Sequence, residues 1–327
     1  MAWTSTTSSP RTGRAPLRRR ERVTSRSIEV AAPGKVNLIL RVLDRRPDGY
    51  HNLWSVMHTF ELADTVVVEF NGRSGIRLTC EGADLPTDSA NLAYRAAERV
   101  LARVRRRKGL RLHVRKRLPV AAGLGGGSSN AAATIQALAA LLDTGWSRTE
   151  MAQLGQEVGS DVPFFFYRPT ALVEGRGERV TPLQLEAERW LLLVNPGIAI
   201  STAWAYERLA AVRAGQVGRM PGRLPRLAVD HGGEGPQLVK WHDMLPLIEN
   251  DFAPVMEREY PVLCEIRELL LMRGAQTAML AGSGATVFGV FGDERLARIA
   301  AEGLDRRSGW QVWVTRTQWN PAPAYLG

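Results

Sequence analysis

The sequence predicts an α+β protein of two domains, layered rather than doubly wound. Helix-like and strand-like stretches mix along it without a regular strand–helix–strand alternation. A length of 327 residues suits about two domains. Apolar residues make up 45% and charged residues 23%, enough apolar side chain for a sizeable core and too much for wholesale disorder.

Residues 1–26 are rich in Ser, Thr and Arg, lack hydrophobic periodicity and read as a disordered basic tail without the apolar core of a secretory signal. Order is expected from Ser27. In SIEVAAPGKVNLILRVL, Val36, Leu38, Leu40 and Val42 share one face of a strand. Lys35 and Asn37 share the other, about 7 Å apart. Asp48-Gly49 signals a hairpin-type turn before a second apolar stretch, Leu53 to Phe60. A helix is expected over 90–108, a strand over Leu110–Leu118, and a glycine-rich loop from Pro119 to Gly127. Ser128 or Ser129 is placed to cap a strong helix over 128–143. Another helix (149–158) leads into Gly159-Ser160-Asp161-Val162-Pro163 and an apolar strand at Phe164–Tyr167.

A strand at 190–196 follows, then a flexible insertion at 215–236 with six Gly and three Pro. The chain ends on helix (261–273), strand (277–281), Gly-Ser-Gly, strand (285–292), helix (293–303) and strand (309–316). Cys80 and Cys264 match no metal-ligand spacing and form no disulfide framework, which fits a reducing compartment and a cytoplasmic protein. No apolar run is long enough to span a membrane.

The net charge of +10 resolves into patches. The first 26 residues carry seven Arg and one Glu, +6; residues 91–117 carry eleven Lys/Arg and one Glu, +10; the remainder is −6. The second patch spans a helix end and a strand, and Tyr94 is its only Phe/Tyr/Trp ring, so stacking on nucleic acid is poorly supported. Nucleic-acid binding is therefore not expected.

The strongest local signal is PVAAGLGGGSSNAAA. Gly123, Gly125, Gly126 and Gly127 precede a helix whose N-terminus offers unsatisfied N–H donors and a partial positive charge, a cradle for polyphosphate. It is no P-loop, since Gly127-Ser128-Ser129 lacks the Lys, and Ser128 stands where the dinucleotide fingerprint needs its third Gly.

Together with PGKVNLIL (33–40), RPDGYHNL (46–53), GSDVPFF (159–165) and AGSGATVFG (281–289), this loop resembles the GHMP kinases. Gly34 departs from the more usual Ala. The resemblance implies an N-terminal ATP-binding domain of the ribosomal protein S5 domain 2-like kind (27–180). It also implies a C-terminal ferredoxin-like α/β domain (181–327). It implies ATP-dependent phosphorylation of an alcohol with Mg²⁺, Asp161 accepting the hydroxyl proton and Lys35 orienting Asp161. Pro119, Val120, Ala121, Ala122, Gly123, Leu124, Gly125, Gly126, Gly127, Ser128 and Ser129 would bind ATP, with Asn91 and Lys116 lining its pocket. Ser128 or Ser129 is the candidate metal contact, the ligand set staying open. Asn37, Tyr50, His51, Gly282, Ser283 and Gly284 would meet the acceptor.

Within the family, the Asp48-Gly49-Tyr50-His51 segment points to 4-(cytidine 5′-diphospho)-2-C-methyl-D-erythritol, phosphorylated on its 2-hydroxyl; homoserine or mevalonate is the alternative. Small molecules are the expected partners, in a monomer or homodimer. His58 has no motif support and reads as a packed or surface residue.

Overall fold

Two long antiparallel strands, β1 (Ser27–Arg45) and β2 (His51–Phe70), organise the first half of the chain. The computed structural model describes residues 27–70, 75–105, 109–214, 237–304 and 309–318; the basic tail and the 215–236 insertion lie outside them. After β2 come β3 (Ile76–Glu81), α1 (Leu92–Arg103), β4 (Leu110–Arg115), α2 (Gly126–Leu141), α3 (Arg148–Gln156), β5 (Thr170–Gly175) and β6 (Arg179–Leu185). The second half runs β7 (Trp190–Asn195), α4 (Thr202–Ala214), β8 (Gln237–Val239), α5 (Trp241–Met244), β9 (Glu249–Asn250), α6 (Ala253–Glu259) and α7 (Pro261–Met272). It closes with β10 (Thr277–Leu280), β11 (Val287–Phe291), α8 (Glu294–Ala301) and β12 (Gln311–Arg316).

Eight strands form the first sheet in the order β3-β4-β2-β5-β6-β8, with β1 pairing β2 and the short β9. A four-stranded antiparallel sheet, β10-β11-β7-β12, carries the second half. Counted along the chain, its strands lie in the order 4-1-3-2 with helices between, the ferredoxin-like arrangement. α1, α2 and α3 cover the first sheet through an Ala- and Leu-rich core. Between the two sheets lies a separate core that includes Val36, Leu38, Ile39, Phe60, Leu193 and Phe288, so the halves share buried surface.

Several expectations are corrected. α1 stops at Arg103, short of 108. Phe164–Tyr167 is no strand: Pro163–Phe166 is a short 3-10 helix with all four side chains buried, Pro163 sitting where a helix needs no N–H. α2 begins at Gly126 with Gly125 in the left-handed region (φ 68°) as its N-cap, so Ser128 and Ser129 lie inside the first turn. β5, β6, α4 and α6 were not legible; β5, for one, is buried on nearly every position and shows no alternation.

β1 also breaks its alternation. Asn37 pairs with Met57 but Ile39 with Val56, so Leu38 is an extra residue that flips the phase. Ile39 thus joins Val36 and Leu38 in the inter-sheet core, while Leu40 turns to the cavity with Lys35 and Asn37. A bulge on the β2 side lies opposite Gly34, between the Pro33–Ala63 and Lys35–Thr59 pairs. There the Phe60 ring covers Gly34 so closely that a Cβ would collide with it.

His58 is buried, its Nδ1 2.6 Å from the Thr170 hydroxyl and its Nε2 without a partner. Burial pushes its imidazole down to about 3. An unfolded-chain imidazole, near 6.5, takes up a proton that the folded state refuses until about pH 3. This contribution is therefore fully present above pH 6.5 and falls as the pH drops towards 3. The expected slope is about 1.4 kcal/mol per pH unit. Urea unfolding at stepped pH should show that dependence in the wild type and lack it in His58→Gln; identical pH profiles would refute it.

Candidate active site

The centre of the site is one buried cation. Lys35 is 4% exposed, and its Nζ donates to Asn37 Oδ1 at 2.8 Å. Asn37 Nδ2 in turn donates to Ser55 Oγ at 2.8 Å, and Ser55 Oγ to Ile39 O at 2.7 Å. This relay fixes the ammonium from below, using strand neighbours that share one face. Asp161, between α3 and the short 3-10 helix, completes it: its Oδ2 lies 3.4 Å from Lys35 Nζ. A buried ammonium needs such a counter-charge, since desolvating it unpaired is costly.

Above Lys35 runs the glycine loop. Gly125 lies over the Lys35 stem, and a Cβ there would sit 2.9 Å from Lys35 Cγ and Cε. The first intrahelical bond of α2 is Ser129 N to Gly125 O, so the N–H groups of Gly126, Gly127 and Ser128 remain for a ligand. Gly123 meets the second glycine turn backbone to backbone: a Cβ on it would collide with Ala281 O. Asn250 Nδ2 clamps that turn, donating to Leu280 O at 2.8 Å and Gly282 O at 2.7 Å.

A second ion pair borders the helix start. Asp64 on β2 is fully buried and pairs with Lys116 Nζ. It also accepts from the N–H groups of Arg117 (2.8 Å) and Leu118 (2.9 Å) and from Asn130 Nδ2 (3.0 Å). Lys116 is thereby held against α2, its Nζ 3.1 Å from where a Gly126 Cβ would be. Asn91 caps α1, its Oδ1 accepting from Ala93 N at 3.0 Å.

These parts surround one cavity of about 540 Å³. Lys35, Asn37, Asn91, Lys116, residues 119–128, Asp161 and Gly282–Gly284 all line it. Ser129 does not, being 2% exposed and turned into the core. Tyr50 also stays off the lining, 52% exposed with the Arg176 guanidinium 4.5 Å from its ring centroid. His51 reaches the cavity indirectly, stacked at 5.0 Å on Tyr206, which does line it. Burial, then the charges of Arg45 and Arg213, holds His51 below its usual value, so its ring is neutral near pH 7.

No sequence motif singles out Tyr206, Phe252, Thr202 or Asp64. Tyr206 packs edge-on to Phe252 at 4.9 Å, and burial, then the Asp161 charge, pushes its phenol up. Its α4 position was unreadable because that helix has no clear apolar stripe, burying only Ala205 and Leu209. A carboxylate within the strand LADTVVV was the available sign for Asp64, since strands disfavour Asp.

Residues 91–168 match the GHMP kinases N terminal domain and residues 237–309 the GHMP kinases C terminal region. A Syntrophotalea carbinolica protein named 4-diphosphocytidyl-2-C-methyl-D-erythritol kinase is 41% identical over 285 residues, 86% of this chain and 96% of that relative. One of the same name from Geobacter sp. (strain M21) is 37% identical over 292 residues, 89% and 99% of the two chains. The chain belongs to the GHMP kinase family. Among solved structures, a 4-(cytidine 5′-diphospho)-2C-methyl-D-erythritol kinase superposes with TM-score 0.71 at 33% identity, over 90% of this chain and 100% of that one. A homoserine kinase from Cytophaga hutchinsonii, 20% identical over 90% of this chain and 96% of that one, shares the fold at TM-score 0.66.

In this GHMP kinase the N-terminal match holds the glycine loop and Asp161, the C-terminal match the Gly282–Gly284 turn. The geometry combines free helix N–H donors, two lysines and a carboxylate around one cavity, the equipment for binding and transferring an anionic group. Gly125→Ala is expected to cost about 1–2 kcal/mol of stability and, by displacing Lys35, to lower activity beyond that loss. Urea unfolding run beside ADP release checks this; unaltered turnover in the folded variant would contradict the placement of Lys35 beneath the loop.

Proposed function

We propose that this chain is an ATP-dependent kinase phosphorylating the 2-hydroxyl of 4-(cytidine 5′-diphospho)-2-C-methyl-D-erythritol, in the methylerythritol phosphate route to isoprenoid precursors. The observation that carries the chemistry is the Lys35–Asp161 pair, 3.4 Å apart in the cavity whose wall is the glycine-rich start of α2. The relatives named for that reaction, together with the Asp48-Gly49-Tyr50-His51 segment, favour this acceptor over homoserine or mevalonate.

In this reading the N–H groups of Gly126, Gly127 and Ser128 hold the triphosphate oxygens, with Lys116 beside them. Asp161 accepts the proton of the acceptor hydroxyl as its oxygen attacks the γ-phosphorus. The bond from that phosphorus to the β–γ bridging oxygen breaks, leaving ADP and the 2-phosphate. Lys35 fixes the Asp161 carboxylate and offsets negative charge gathering on the acceptor oxygen and the transferred group. His51 and Tyr206 form a stacked aromatic wall for the nucleoside end. Gly282–Gly284 line the cavity beside the phosphate loop, where Gly123 meets that turn.

Mg²⁺, carried by the triphosphate, would neutralise phosphate charge when bound. No group of three or more His, Cys, Asp and Glu side chains able to hold a metal occurs among the described residues. Ser128, on the cavity wall, is the side-chain oxygen offered by the loop, which fits an ion held mainly by phosphate and water.

Asp161→Asn is expected to lower kcat by ~10²–10⁴-fold with little change in the KM for ATP. A coupled ADP-release assay with the cytidine diphosphate acceptor measures it, homoserine and mevalonate being run in parallel. Near-normal turnover by the folded variant removes Asp161 from the base role, and activity on homoserine or mevalonate alone removes the proposed acceptor.

A further inference from the structure

The hairpin joining β5 to β6 contributes no residue to the cavity lining, yet it touches both flanks of the site. Its turn is Gly175-Arg176-Gly177-Glu178, closed by Gly177 N donating to Glu174 O at 3.2 Å. The sheet register decides where it lands. β5 pairs β2 with Gly175 opposite Leu53, so the turn emerges beside the start of β2 and the Tyr50–Asn52 segment.

On one flank, Gly177 (φ +113°) lies against the backbone of Ser160, the residue before Asp161. A Cβ on Gly177 would collide with Ser160 O and sit 2.9 Å from its carbonyl carbon, so only glycine admits this approach. On the other flank, the Arg176 guanidinium lies 4.5 Å from the Tyr50 ring centroid, and Glu178 pairs with Arg46 Nη1 at 3.7 Å. Tyr50 is 52% exposed, so the guanidinium on one ring face is a substantial part of what orients it. The turn therefore spans from the backbone that carries Asp161 to the Tyr50 ring.

We propose that Arg176 is a positioning residue for acceptor recognition: seated by Gly177 on the Asp161 loop, it holds the Tyr50 ring at a set place relative to Asp161. It acts through Tyr50 and touches no reacting atom. The inference rests on the proposed cytidine diphosphate acceptor, whose pyrimidine would meet the free face of Tyr50.

Steady-state kinetics on Arg176→Gln, Arg176→Lys, Tyr50→Ala and the double variant Arg176→Gln/Tyr50→Ala test it, with thermal melts alongside. Arg176→Gln should raise the KM for the cytidine diphosphate acceptor about three- to fivefold, leaving kcat, the KM for ATP and the melting midpoint unmoved. Arg176→Lys should recover part of that loss, because an ammonium also sits on a ring face. In the Tyr50→Ala background, Arg176→Gln should have no further effect. A KM unmoved by Arg176→Gln overturns the proposal, as does an equal rise in the Tyr50→Ala background, which would mean direct contact with substrate. Loss of activity that follows the melting midpoint in every variant would reduce Arg176 to fold support. Failure of the wild type to release ADP with this acceptor removes the functional reading and the proposal with it. An active wild type with an indifferent Arg176 removes the proposal alone.

Discussion

Burying the Lys35 ammonium is the constraint on which the site depends. An ammonium 4% exposed persists only where its hydrogen bonds and charge are met. Asn37 and Ser55 supply the first from β1 and β2, and Asp161 supplies the second from a loop more than a hundred residues on. The same cation that needs Asp161 places that carboxylate inside the cavity. Gly125 must lack a side chain because the Lys35 stem lies against it. One buried charge thus sets the loop composition and the position of the acid that faces it.

The second constraint is the contact between two glycine turns. Gly123 belongs to the first half of the chain and Gly282 to the second; a Cβ on Gly123 would collide with Ala281 O, and one on Gly282 would come within 2.9 Å of Gly123 O. Neither sheet alone encloses the cavity. The clamp from Asn250 to the Gly282 turn, and the shared core of Val36, Phe60 and Phe288, bind the halves so that it has two walls. A smaller analogue is the Asp64–Lys116 pair, where a buried carboxylate organises the entry into α2 through two backbone N–H groups. Its worth lies in geometry rather than stability, since a buried pair gains little over apolar packing.

The positive charge that dominates the composition plays a limited part in this arrangement. Lys116 is the member of the 91–117 patch drawn into a buried pair with Asp64. Others lie on the surface in partly exposed pairs, such as Arg111 with Glu69 and Arg115 with Glu29. Exposed pairs of this kind contribute little.

Much of the site was legible in the sequence because its signals are local. Glycines before a helix, Lys and Asn two apart on a strand, and a carboxylate ahead of an apolar run each express chemistry within a few residues. The α+β class followed from element order, and the ferredoxin-like second sheet was implied by the family resemblance. What was misread or invisible depended on contacts distant in sequence. Leu40 faces the cavity because a bulge at Leu38 shifts the pairing with β2. Phe164 to Phe166 wind into a 3-10 helix because a core surrounds them on every side. Tyr206, Asp64 and Arg176 gain their positions from partners on other strands and helices, and no spacing along the chain encodes such a meeting. The sequence by itself determined which groups could do chemistry, since their types and near neighbours are covalently adjacent. Only the tertiary structure decided which of them share one cavity, because burial and charge pairing are settled between segments when the sheets close on each other.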